Sequence, residues 1–133
     1  MKYELTDEKI IVEGHTLFRI RALKDFGEVV KAGNLGGFVE SEKNLSQKDY
    51  AWVADNSCVF ENARVFENAW IFEKSWVFGK VQVSGYSKVF GGARLSGNEI
   101  LSGYTWVNPQ AVCHTEARVY GNAQMIRSAW VQK

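Results

Sequence analysis

Proline is nearly absent from this chain: Pro109 is the only one in 133 residues, against 12 glycines. Chain reversals must therefore come from glycine or from residues that tolerate left-handed backbone. Cysteine and histidine are equally scarce, with two of each. Cys58 and Cys113 make no disulfide framework and no zinc motif, a pattern expected of reduced thiols in a cytoplasmic protein. There is no long apolar run, so no transmembrane helix is expected. The N-terminal "MKYELTDEKI" also lacks the apolar stretch of a signal peptide. Formal net charge is only +1. Binding to DNA, RNA or an anionic membrane through overall charge is therefore not indicated, and any anion site must be local.

What the chain does have is a repeat. From Ala51 it divides into sixes without an insertion: AWVADN, SCVFEN, ARVFEN, AWIFEK, SWVFGK, and so on to the end. The third residue of each block is aliphatic or close to it, as in Val53, Val59, Val65, Ile71 and Val77. The first is nearly always Ala or Ser; Val81, Glu99 and Thr105 are the departures. Six is not a helical period, because 3.6 residues per turn would carry the apolar position around the helix surface. Alternation along a strand explains it: the first and third residues point in, the second and fourth point out. The fifth and sixth are turn pairs such as Glu-Asn, Gly-Tyr and Gly-Asn. Each block is thus a short strand plus a corner, and such blocks stack into a solenoid.

This pattern closely resembles the hexapeptide repeat of left-handed parallel β-helix proteins, in which an aliphatic residue is followed four later by a small one, as in Val53 and Ser57. The fold expected from the resemblance is all-β: a left-handed parallel β-helix of about 4–5 triangular coils over residues 51–133, with an N-terminal hairpin and glycine-rich cap over residues 1–50. The handedness comes from the resemblance alone, since general rules for parallel crossovers favour the right hand. Upstream, "EKIIVEGHTLFRIRAL" reads as two strands about a Glu13-Gly14 turn. Gly33-Asn34-Leu35-Gly36-Gly37 has the glycine content of a phosphate cradle but not the Lys-Ser/Thr of a P-loop, so a cap on the first coil is the better reading. The stretch "GHTLFRIRALKDF…GNLGGFVESEKNLS" followed by hexapeptides also resembles an N-terminal module of phage and prophage hexapeptide-repeat proteins. That resemblance implies origin, in a host cytoplasm, and no chemistry.

Folding the blocks at a period of 18 gives three outward faces. Face one carries Trp52, Trp70, Lys88 and Trp106, with Phe72 and Phe90. Face two carries Cys58, Trp76 and Arg94, with Phe60 and Phe78. Face three carries Arg64, Gln82, Ile100 and Arg118, with Phe66 and Tyr120. All five tryptophans fall on outward positions, and so much exposed aromatic surface is unusual for a monomer. Trp52, Trp70, Phe72, Trp76, Phe78, Phe90 and Trp106 are therefore expected to form an oligomer interface. The resemblance implies a homotrimer. Corner residues Asp55, Glu61, Glu67 and Glu73 form an acidic band that reads as a solvated rim.

On face three, Arg64 and Phe66 flank Val65, and Arg118 and Tyr120 flank Val119. Arginine beside an aromatic ring suits a planar anion, by stacking and phosphate pairing; the plain alternative is an arginine seated on a ring at a subunit contact. Many hexapeptide proteins are acyltransferases and some are zinc enzymes. Here two histidines are too few for a three-histidine zinc site. The unbroken register leaves no loop to enclose a substrate, and His114 near Glu116 is the only candidate base. No metal site, cofactor or catalytic set is expected. Three functions remain: a non-catalytic binder of a small anion such as a signalling nucleotide, a self-assembling structural protein, and an acyltransferase relative using His114.

Overall fold

The computed structural model describes residues 1–108 and, beyond them, the backbone of the strand pairs 112–113, 118–119 and 124–125. His114, Tyr120 and Trp130 lie outside the described residues. The chain opens with an antiparallel hairpin, β1 (Tyr3–Val12) and β2 (His15–Ala22). Its turn is made by Glu13 and Gly14, both with positive φ, the backbone that matches the twist of two-residue hairpins. β3 (Leu35–Val39) pairs antiparallel with β2 on one side. Two-residue strands then follow every six residues, from β4 (Trp52–Val53) to β16 (Gln124–Met125).

These short strands form a parallel β-solenoid. Each pairs with the strand 18 residues on: Trp52 opposes Trp70, Arg64 opposes Gln82, and Cys58 opposes Trp76. Three ladders result, one per face, and the face-two ladder is continuous with β1, β2 and β3 in a seven-stranded sheet. The four described turns are closed by the inward residues Val39–Leu45–Val53, Val59–Val65–Ile71, Val77–Val83–Val89 and Leu95–Leu101–Val107, all essentially without exposure. Side chains two apart on a strand share a face, which is why the small first residues Ala51, Ala63, Ala69 and Ala93 are buried beside them. Glu99, at the same position, is also fully buried.

The solenoid begins earlier than the hexapeptide frame. Val39 pairs in parallel with Val59, and Leu45 bridges to Val65. These offsets are 20 residues instead of 18, because two extra residues enter between Leu45 and Val53. The latter part of the glycine-rich segment, Leu35–Gly37, is strand: Gly36 and Gly37 are buried inside β3, directly against the first coil.

The acidic band is also more than a solvated rim. Asp55, Glu61 and Glu67 all have φ near +59°, left-handed backbone at a corner. Each carboxylate accepts the N–H of the corner one coil on: Glu73 N to Asp55 at 2.9 Å, Gly79 N to Glu61 at 2.9 Å, and Gly85 N to Glu67 at 2.8 Å. These charge-assisted bonds offset the cost of a side chain at positive φ. Replacing Glu67 with alanine is expected to lower stability by about 1–2 kcal/mol, measurable by urea denaturation; an unchanged midpoint would show that the brace contributes nothing in solution. Among the described residues, no helix is long and apolar enough to cross a membrane.

Candidate ligand-binding site

Arg64 and Phe66 occupy the second and fourth positions of their hexad, so strand alternation turns both outward. Arg64 is exposed and Phe66 half-buried. They share a shallow groove of about 350 Å3 with Lys43, Ser46 and Gln82. A second groove of about 380 Å3 joins Arg64 to Lys43 and Lys80, with the Glu61 carboxylate also in its lining. Lys43 is brought there by a 3-10 turn, Glu42–Asn44, capped by the Ser41 side chain. Asn44 fastens that turn to the next coil. Its buried amide accepts from Glu40 N and Ser41 N, and donates to Glu61 O and to Ala63 O at 2.9 Å. The corner thus sets Lys43 and Arg64 beside the Phe66 ring, with Lys80 in the adjoining groove.

Several cations elsewhere are already occupied. Arg94 lies 4.0 Å from the Trp76 ring, Arg19 lies 4.2 Å from Phe38, and Lys88 lies 5.2 Å from Trp106. Arg19 and Arg21 also pair with Glu8 and Glu4. Among the described residues, neither ring seating nor a salt bridge engages Arg64, Lys43 or Lys80. Arg118 lies on the same ladder, three rungs from Arg64, or roughly 14 Å at the usual strand spacing. Within one chain, then, the backbone positions of Arg64 and Arg118 are separate places on the ladder.

The aromatic residues expected at an interface divide in two. Trp52 is an outward residue with no surface to offer, because the N-terminal segment covers it to 3% exposure. Tyr3 and Phe26 meet its ring edge-on at 6.4 and 5.2 Å. Cys58 and Phe60 on face two are likewise covered by the hairpin, and burial pushes the Cys58 thiol up to about 11. Trp70, Phe72, Trp76, Phe78 and Phe90 are half-buried, and Trp106 is exposed. Part of the aromatic surplus is therefore spent inside the chain. Coil-to-coil stacking orders the rest: Phe60 lies parallel to Phe78 at 4.8 Å, and Phe72 to Phe90 at 5.3 Å.

A second polar cluster was not visible in the sequence. At the hairpin tip, His15 Nδ1 lies 3.0 Å from Glu40, and Nε2 lies 3.1 Å from Glu61. Both ring nitrogens face carboxylates, so the doubly protonated imidazolium fits best. The hydrogen bond to Glu40 raises the His15 pKa, desolvation opposes it, and Glu61 adds to the rise. For Glu40, burial pushes the carboxyl up, but hydrogen bonds from His15 and from Glu61 N–H prevail and hold it low. Below the ordinary histidine value of 6.5 the His15 contribution is complete, and it is lost as pH rises through the higher folded value. The Glu40 contribution runs the other way and is lost as pH falls below its ordinary 4.5. Melting His15→Gln beside the parent should therefore show a deficit at pH 5.5 that shrinks by pH 8.5. A pH-independent deficit would contradict the ion pair. Among the described residues, no cluster of three or more His, Cys, Asp or Glu is arranged to hold a metal. No protein-family model matches this chain, and no curated protein matches it.

Proposed function

We propose that this protein is a non-catalytic binding protein that holds a small planar anion, such as a nucleotide, at the Arg64 corner. The reading includes a homotrimer, the left-handed sense of the solenoid and a phage-type origin in which a host signalling nucleotide is sequestered. These last elements rest on the sequence resemblance. The observation that carries the proposal is the meeting of Lys43 and Arg64 beside Phe66, with Lys80 in the adjoining groove and none of the three cations in a salt bridge or seated on a ring among the described residues. Guanidinium and ammonium groups can pair a phosphate while the ring supports a base. Glu61, whose carboxylate also pairs with His15, lines the groove of Lys43, Arg64 and Lys80 and makes one side of the corner acidic.

The test is a thermal-shift panel of mono-, di- and cyclic nucleotides. At least one should raise the melting temperature in a saturable way. Arg64→Ala and Lys43→Ala should each weaken that binding about tenfold, the loss of one charge-assisted contact, without changing oligomer mass. A panel without any shift removes the proposal. A self-assembling structural role is the second reading, favoured by the exposed and half-buried column of Trp70, Phe90 and Trp106 on face one. It expects sedimentation mass to fall in Trp106→Ala while nucleotides have no effect.

A further inference from the structure

Face one carries a step. The loop after β2 folds over Trp52 and ends there, with Phe26 and Val30 buried beneath it. At the foot of the step lies an open groove of about 710 Å3, and no residue of the Arg64 corner lines it. Its floor is Trp70 and Phe72. The Trp70 Nε1 already donates to Tyr50 O at 3.0 Å, so its indole offers only carbon surface to a ligand. Tyr86 stands at the edge, half exposed and stacked parallel to Tyr104 at 5.1 Å. These rings are held by neighbours before anything binds, so little freedom is left to lose.

The polar groups of the groove are of a different kind from those at the Arg64 corner. Asn34 Oδ1 accepts from Lys31 N at 2.9 Å, and Asn68 Oδ1 accepts from Tyr50 N at 3.3 Å. Each bond orients an amide whose N–H groups remain as donors. Asp55 spends one carboxylate oxygen on Glu73 N and keeps acceptor capacity. Lys88 and Asp55 are the charged residues of the lining, and they cancel. An anion would gain Lys88 but face Asp55; a purely apolar ligand would leave the amides and Asp55 desolvated without partners. A body with a flat C–H face and a rim of hydroxyls satisfies all of them, since each hydroxyl both donates and accepts. Small-molecule sites commonly have this form, an apolar aromatic wall with a few convergent polar groups, in a volume of this order.

We propose that the groove is a binding site for a neutral pyranose sugar, stacked on the Trp70–Phe72 floor and held by Asn34, Asn68 and Asp55. The site is independent of the Arg64 corner. The intact chain is titrated with cellobiose, maltose and chitobiose, followed by tryptophan fluorescence and by the Trp70 indole resonance. At least one disaccharide should shift that resonance saturably. Tyr86→Ala, at an exposed side chain where folding is not at stake, should weaken binding about tenfold, and Arg64→Ala should leave it unchanged. The proposal is overturned if none of the three sugars moves the Trp70 resonance at tens of millimolar. It is equally overturned if a nucleotide moves it where sugars do not. A fall in sedimentation mass on Trp70→Phe would also overturn it, by making the groove a contact between copies.

Discussion

Gly37→Ala is expected to remove about 3 kcal/mol or more of stability, enough to move a urea midpoint far beyond error. A Cβ at residue 37 would stand 2.4 Å from Ser57 O, 2.8 Å from Val53 Cγ1 and 3.3 Å from Ala54 O. The first and last of these are backbone atoms of the first hexads and cannot swing aside. Gly36 is as confined, with Val53 O at 2.5 Å and Ile20 Cγ1 at 2.8 Å. β3 can lie against the coil only because two successive residues have no side chain. If β3 shifts, the hydrogen bond from Phe38 N to Ser57 O is lost with it. The same substitution separates the two meanings of the glycine-rich stretch. A phosphate cradle would lose a ligand and keep its stability, whereas a packed strand loses stability first. A Gly37→Ala protein with the parent's urea midpoint would overturn the packing account.

The second large effect is expected at Trp52. Truncation to alanine should cost about 3–5 kcal/mol, the usual loss for a fully buried aromatic side chain. Trp106→Ala, on the same ladder but exposed, should cost under about 1 kcal/mol. The two residues hold equivalent positions in their hexads. What separates them is the N-terminal segment, which sets Tyr3 and Phe26 against the Trp52 ring. Equilibrium denaturation of both variants, at a concentration where any oligomer has dissociated, measures the difference. Equal losses would mean that the cap does not hold Trp52 in solution. If Trp52→Ala instead lowered only assembly mass, the residue would belong to a subunit contact after all.

Most of the fold was legible because the inward ladder obeys one local rule. Alternation on a four-residue strand forces residues such as Val59, Val65 and Ile71 inward together, and the 18-residue stacking follows from three such strands per turn. The same parity placed Arg64 and Phe66 outward. The first turn was not legible, for a definite reason. Val39 and Leu45 keep the six-residue spacing, but two inserted residues before Val53 break the frame, and Lys43 stands where the repeat has a small residue. The acidic corners were visible as a band but not as braces, because their partners are backbone N–H groups 18 residues away.

The sequence by itself determined that the chain is a β-solenoid, which side chains enter its core, and which residues the three faces can display. Those are consequences of strand parity and of a repeat without gaps, and both are local. The tertiary structure alone decided which displayed residues remain displayed. Trp52, Cys58 and Phe60 leave the surface because the hairpin and the loop after it fold back over the first turns. Lys43 joins Arg64 because Asn44 fastens its turn across the ladder. His15 meets Glu40 and Glu61 from 25 and 46 residues away along the chain. Contacts of that range carry no periodic signal, because their geometry is set by where the hairpin lands on the solenoid and not by spacing along the chain.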